Sequence, residues 1–161
     1  MNAAQALVGT LKLHGVDRVF CVPGESFLAV LDALHDEPAV EVISCRHEGG
    51  AGFMAVADAK LTRRAGVAFV SRGPGATNAS IALHVANQDA TPFVLFIGQV
   101  ERKDRGRGAF QEVDYDKSLG GLCREPLGGL LMSPSRCREP ANQRSLSLEE
   151  EKMWTWMNTK A

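Results

Sequence analysis

Val40-Glu41-Val42-Ile43-Ser44-Cys45-Arg46-His47-Glu48-Gly49-Gly50-Ala51-Gly52 decides the fold. Its opening residues, 40–44, carry Val40, Val42 and Ile43 and predict a short apolar strand. From Glu48 to residue 63 the composition turns to glycine and alanine, and a helix is expected there. A strand that runs straight into a helix is half of a βα unit. The junction also puts one carboxylate, Glu48, at the edge of a core, where an ion is costly without a partner. That makes Glu48 a candidate acid or base.

The same unit repeats on either side. Upstream, Asn2 is placed to cap a first helix whose apolar face is Leu7, Val8 and Leu11, with Gly15 as its stop. Residues 18–22 read as a buried strand ended by Pro23-Gly24, and Ser26 is expected to cap a helix carrying Phe27, Leu28, Val30, Leu31 and Leu34. Downstream, residues 67–71 form a third strand. Gly73-Pro74-Gly75 follows, and Thr77 or Asn78 is expected to open a helix through Ile81, Leu83, Val85 and Ala86. Residues 92–98 make a fourth strand. Alternating helices and continuously apolar strands specify an α/β fold: a parallel sheet with helices on both faces.

Composition bounds the rest. The chain has 161 residues, 45% hydrophobic and 23% charged, enough for one globular domain. A net charge of −1, with no basic run interleaved with aromatics, argues against nucleic acid as a partner. No apolar stretch approaches the ~20 residues a membrane span needs, and no leader pattern is seen, so a cytoplasmic protein without membrane contact is expected. Cys21 and Cys45 lie in apolar strands and read as buried free thiols. The βα rhythm stops after Tyr115. Residues 1–116 carry 11 Lys and Arg against 14 Asp and Glu; residues 117–161 carry 7 against 5, and contain both tryptophans, Trp154 and Trp156. Two segments are therefore expected, a domain over 1–116 and a divergent, mostly irregular tail over 117–161. Glycine pairs and prolines interrupt that tail, and it holds no β-branched run to supply a strand. The last sheet edge is expected to lie uncovered, and only residues 147–157 offer a helix.

In open α/β sheets, ligands bind outside the carboxyl ends of the strands. Three such ends carry unusual residues: Pro23-Gly24-Glu25, His47-Glu48-Gly49, and Gly73-Pro74-Gly75-Ala76-Thr77-Asn78. Glycine lets backbone approach a ligand, and helix N-termini offer free N–H donors. Each turn alone is explained as an ordinary strand–helix connection; three together with Glu48 point to a ligand site. Gly73-x-Gly75-x-x-Asn78 lacks the third glycine of a dinucleotide fingerprint, and no GxxxxGK[ST] loop is present. Ser71 and Ser80 lack a nucleophile elbow. His47 beside Glu48 has no further His or Cys at metal-ligand spacing, and His14, His35 and His84 read as surface or helix-end residues.

These motifs, in this order, resemble the N-terminal pyrimidine-binding domain of thiamine-diphosphate-dependent enzymes, acetolactate synthase and its relatives in particular. The matching residues are Val22-Pro23-Gly24-Glu25-Ser26, Cys45-Arg46-His47-Glu48-Gly49-Gly50-Ala51, Ser71-Arg72-Gly73-Pro74-Gly75-Ala76-Thr77-Asn78, Gly98-Gln99-Val100 and Ala109-Phe110-Gln111-Glu112-Val113-Asp114. The resemblance implies that Glu48 is the catalytic glutamate that hydrogen-bonds the cofactor's aminopyrimidine ring and promotes loss of the thiazolium C2 proton. It implies cofactor-binding walls from Pro23, Gly24, Gly73, Gly75, Thr77 and Asn78, and substrate-side roles for Phe110 and Gln111. Gly49, Gly50 and Gly52 would allow the close helix packing of the family's dimer interface.

The resemblance also implies what lies elsewhere. In the family, Mg2+ and the cofactor's diphosphate are held by a second domain with a GDG…N motif, which these 161 residues lack. Some relatives use a flavin (FAD); no residue here supports one. Arg72 stands where many members carry a small residue. Three readings follow. The chain is a truncated relative, inactive alone, from the 2-oxo acid lyases and transferases. Or it is the subunit of a split decarboxylase, completed by a partner chain with the diphosphate-binding domain or working as a homodimer. Or it is a non-catalytic nucleotide-binding module on this fold.

Overall fold

The computed structural model describes residues 1–123 and the backbone of residues 125–127 and 130–132. Helix α1 (Ala3–Leu13) starts on Asn2, whose side chain accepts the Gln5 N–H at 2.9 Å while the Gln5 side chain accepts the Asn2 N–H at 3.0 Å. This reciprocal cap satisfies two otherwise orphaned donors. Strand β1 (Arg18–Cys21) leads through a short 3₁₀ turn, Glu25–Phe27, into α2 (Leu28–His35). Then come β2 (Glu41–Ser44), α3 (Glu48–Thr62), β3 (Gly66–Val70), α4 (Pro74–Gln88) and β4 (Phe93–Ile97). A one-turn helix α5 (Tyr115–Ser118) and two three-residue strands, β5 (Glu125–Leu127) and β6 (Leu130–Met132), complete the described chain.

The sheet order is β2-β1-β3-β4-β6-β5. The first four strands are parallel, with Val19 opposite Val42, Phe20 opposite Ala68 and Phe69 opposite Phe96. Successive side chains point to opposite faces of a strand, so each strand feeds two cores. Phe20, Ala68, Val70, Phe93, Leu95 and Ile97 pack with α3 and α4 on one face. Val19, Cys21, Val67, Phe69 and Val94 pack with α1 and α2 on the other. Phe69, almost fully buried, stacks against Phe27 and Phe96 with ring centroids 5.9 and 4.6 Å away. The α3–α4 core extends past the motif-bearing stretch to Tyr115, Leu119 and Cys123.

The α/β architecture with a parallel sheet and helices on both faces is the one expected. Several details differ. Helix α4 begins at Pro74 with Gly73 as its cap, not at Thr77 or Asn78. Proline suits the first helical turn, where its missing N–H would have no partner anyway. Ser26 does not cap α2; its hydroxyl lies 3.1 Å from Ser71 Oγ and accepts the Arg72 N–H at 3.2 Å. Cys45 is half-buried rather than buried, because it follows β2 at the exposed margin of the sheet.

The sheet edge beside β4 is not left open: β6 pairs antiparallel with it, Leu95 opposite Leu131, and β5 pairs with β6. Leu127 faces Leu130 in that ladder. The unpaired N–H and C=O groups of an apolar parallel strand are thereby satisfied within the chain. The expected helix at 147–157, Trp154 and Trp156 lie outside the described residues. Among the described residues no helix is long and apolar enough to cross a membrane.

Candidate active site

Strands β1 and β3 are neighbours, yet the chain leaves β1 for β2 on one side and returns to β3 on the other. That reversal opens a crevice at the carboxyl end of the sheet. The turns after β1, β2 and β3 all reach this end, and each carries one of the three glycine-marked motifs.

Glu48 is the first residue of α3. The preceding His47 caps the helix, its Nδ1 accepting the Gly49 N–H at 3.1 Å. That bond commits His47 to the helix end. Glu48 Oε2 accepts from Asn78 Nδ2 of α4 at 2.9 Å. Its other oxygen, Oε1, lies 3.4 Å from where a Cβ on Gly75 would stand. Among the described residues Oε1 has no hydrogen-bond partner. Glu48 is half-buried, not enclosed as its place at the strand end implies: Gly49 and Ala51 turn the buried side of the first turn of α3 inward, and Glu48 stands at its margin.

The other predicted residues form two adjoining groups. Gly24 has no side chain where Ser71 Oγ sits: an added Cβ would stand 2.2 Å from that oxygen. Pro23 beside it is exposed. Gly73 has φ +63°, a left-handed value that favours glycine. An added Cβ there would stand 2.8 Å from Gln111 Cβ, so the turn after β3 presses on the segment bearing Phe110 and Gln111. Phe110 itself is 75% exposed. The structure therefore joins Glu48, Gly75 and Asn78 in one contact set and Gly73 and Gln111 in another. Thr77 joins the second through its hydroxyl, which donates to Gly73 O at 3.2 Å.

Sequence reasoning missed two supports of this end. The Ser26–Ser71 hydroxyl pair ties the turn after β1 to the end of β3. Tyr115, the chain's one tyrosine, is buried and accepts the Gly73 N–H at 2.9 Å while its hydroxyl donates to Gly98 O at 3.4 Å. Burial pushes its phenol above the ordinary value. Its position at the end of the last motif was the available signal. Tyr115→Phe is expected to cost about 1–2 kcal/mol, since it strands a buried donor at Gly73. Urea unfolding measures it, and an unchanged midpoint would show that Gly73 finds another acceptor.

Comparison with known proteins places the sequence in a family. Residues 1–118 fit the model of the thiamine pyrophosphate enzyme, N-terminal TPP binding domain. The chain belongs to that family. It is 45% identical over 114 residues to the acetolactate synthase isozyme 2 large subunit of Escherichia coli strain K12, covering 71% of this chain and 21% of the relative. It is 42% identical over 117 residues to an acetolactate synthase large subunit of Parasynechococcus marenigrum, covering 71% and 19%. It is 45% identical over 101 residues to the mitochondrial acetolactate synthase of Schizosaccharomyces pombe, covering 63% and 15%. The chain thus spans about a fifth of the length of the curated relatives it matches.

Proposed function

We propose that this chain is the pyrimidine-binding part of a thiamine-diphosphate enzyme of acetolactate synthase type, acting on 2-oxo acids as a transferase or lyase. One observation carries the reading. Glu48 keeps one oxygen fixed by Asn78 and offers the other, without a partner among the described residues, beside Gly75. An acceptor left available in that position fits the edge of an aminopyrimidine ring. Thiamine diphosphate, when bound, supplies a nucleophilic carbon that adds to the substrate carbonyl.

The chain's own residues have narrower tasks. Glu48 Oε1 holds or releases the proton shared with the pyrimidine, while the bond from Asn78 keeps the carboxylate from swinging away. Pro23, Gly24, Gly73, Gly75 and Thr77 wall the ring through backbone and small side chains. Phe110 and Gln111 face the substrate. Mg2+ and the diphosphate fall to a domain with the GDG…N motif, in this chain's partner or in a longer form of the protein. Half-burial of Glu48 is what a site completed by another surface leaves behind. Phe53, Met54 and Leu61 on α3 and Ile81 on α4 are exposed apolar side chains that suit such an assembly, a homodimer included. The free thiols Cys21 and Cys45 fit a reducing cytoplasm.

The test is an NMR titration of the full chain with thiamine diphosphate and magnesium. Amide shifts are expected around Glu48, Gly75 and Asn78. The dissociation constant is expected to be no tighter than about millimolar, roughly −4 kcal/mol, because the diphosphate ligands are absent from the sequence. Shifts confined to other regions would overturn the site; micromolar affinity would overturn the division of labour.

A further inference from the structure

Arg72 follows β3 directly, and its side chain is only 17% exposed although it is charged. Its guanidinium reaches two different turns. Nη2 donates to Glu25 Oε1 at 2.6 Å, in the turn after β1, and Nε donates to the Phe110 carbonyl at 3.2 Å. Its own N–H donates to Ser26 Oγ at 3.2 Å. One side chain therefore ties the turn after β1 to the segment carrying Phe110 and Gln111.

That segment needs a tie. Gln111 has φ +60°, a left-handed conformation that costs energy in any residue with a side chain. Such strain persists only where the surroundings over-determine it. The segment's own bonds are local. Glu112 accepts the N–H groups of Gly106, Gly108 and Ala109 at 2.5, 3.1 and 3.1 Å, and donates its own N–H to Ala109 O at 2.9 Å. These bonds shape the turn but do not fasten it to the sheet. Phe110 and Gln111 are fastened by the press of Gly73 against Gln111 and by Arg72, and the residues just after them by Gln99, whose Nε2 donates to Val113 O at 3.4 Å.

We propose that Arg72 is the positioning residue for the Phe110–Gln111 segment: its guanidinium clasps that segment to Glu25 across the carboxyl end of the sheet. The ion pair sets how long the segment stays docked, and docking holds Gln111 in its left-handed conformation. Arg72 does not touch the reacting atoms; it acts through the segment. The substrate-side meaning of this clasp rests on the function proposed above, whereas the clasp itself is tested without any ligand. Failure of one is therefore distinguishable from failure of the other, which the thiamine-diphosphate titration reads.

The experiment is amide hydrogen exchange and Gln111 backbone chemical shifts by NMR on the full chain, for the parent, Arg72→Ala, Arg72→Lys and Glu25→Gln. A short exposed turn gives its amides little protection unless it is docked. In Arg72→Ala, the Ala109 and Glu112 amides are expected to exchange about tenfold faster, the worth of one hydrogen bond from a charged donor. The Gln111 shifts are expected to leave their left-handed values, while the amides of β3 stay as in the parent. Arg72→Lys, which keeps a charged donor, is expected to restore most of the protection. Glu25 is two-thirds exposed, so Glu25→Gln leaves folding intact. That variant is expected to show a smaller rise and to abolish the salt dependence of exchange seen in the parent. Unchanged exchange and unchanged Gln111 shifts in both Arg72→Ala and Glu25→Gln would overturn the clasp. So would a rise spread evenly through β3, which would mark Arg72 as a source of general stability.

Discussion

Glu48→Gln is expected to slow exchange of the thiazolium C2 proton at least about a hundredfold once the chain is assembled with a diphosphate-binding domain. Glutamine keeps the size of the side chain and an acceptor oxygen, so the bond from Asn78 Nδ2 survives. What it loses is the ability to hold a proton at Oε1. The fold should change little, because Glu48 is a half-buried helix-start residue whose hydrogen bond the amide can still accept. Proton–deuterium exchange followed by NMR reports the step without any substrate. Parent-like exchange in the variant would return Glu48 to an ordinary helix-start residue. Asn78→Ala provides a graded companion: it frees the carboxylate without removing it, so its effect should be smaller than that of Glu48→Gln.

Gly66→Ala is expected to cost about 3 kcal/mol, the upper part of the range for inserting a methyl group into a packed interior. Helix α3 lies on the first residue of β3 backbone to backbone. A Cβ on Gly66 would stand 2.0 Å from the Ala55 carbonyl oxygen and 2.7 Å from its carbon. Backbone cannot step aside as a side-chain end can, so α3 must lift from the sheet. Gly50→Ala is the control in the same helix. An added Cβ there meets nothing within 4 Å, and the change should stabilise by up to about 1 kcal/mol. Urea midpoints with unchanged slopes measure both. If Gly66→Ala cost no more than a surface substitution, the close approach of α3 to β3 would be wrong.

The βα rhythm was legible because each strand is apolar throughout and each turn is marked by glycine or proline. Glu48 was legible for the same reason: a lone carboxylate between an apolar strand and a small-residue helix stands out. Its bond to Asn78 was not, since it depends on α3 and α4 lying side by side, which no local spacing encodes. Ser26 was read as a cap by its position before a helix, but a hydroxyl facing Ser71 across two adjacent strands has a nonlocal partner instead. The β5–β6 pair was not legible because Gly128-Gly129 reads as a break and the flanking residues are leucines rather than β-branched. A glycine pair between two apolar runs is also a hairpin signal, and the facing of Leu127 and Leu130 fits that reading.

Four of the polar links at the carboxyl end join distant parts of the chain. Glu48 and Asn78 are 30 residues apart, Gly73 and Tyr115 42, Ser26 and Ser71 45, and Arg72 and Glu25 47. Closing such loops must be paid for in entropy before their contacts give anything back, and folds dominated by such contacts form slowly. A partly folded chain, with α1 and β1 in place but the β1–β3 pairing not yet made, has no fragment of the site at all. The crevice is thus expected to form late in folding. On the function proposed above, cofactor capture during synthesis is expected only once Tyr115 has emerged and closed on Gly73.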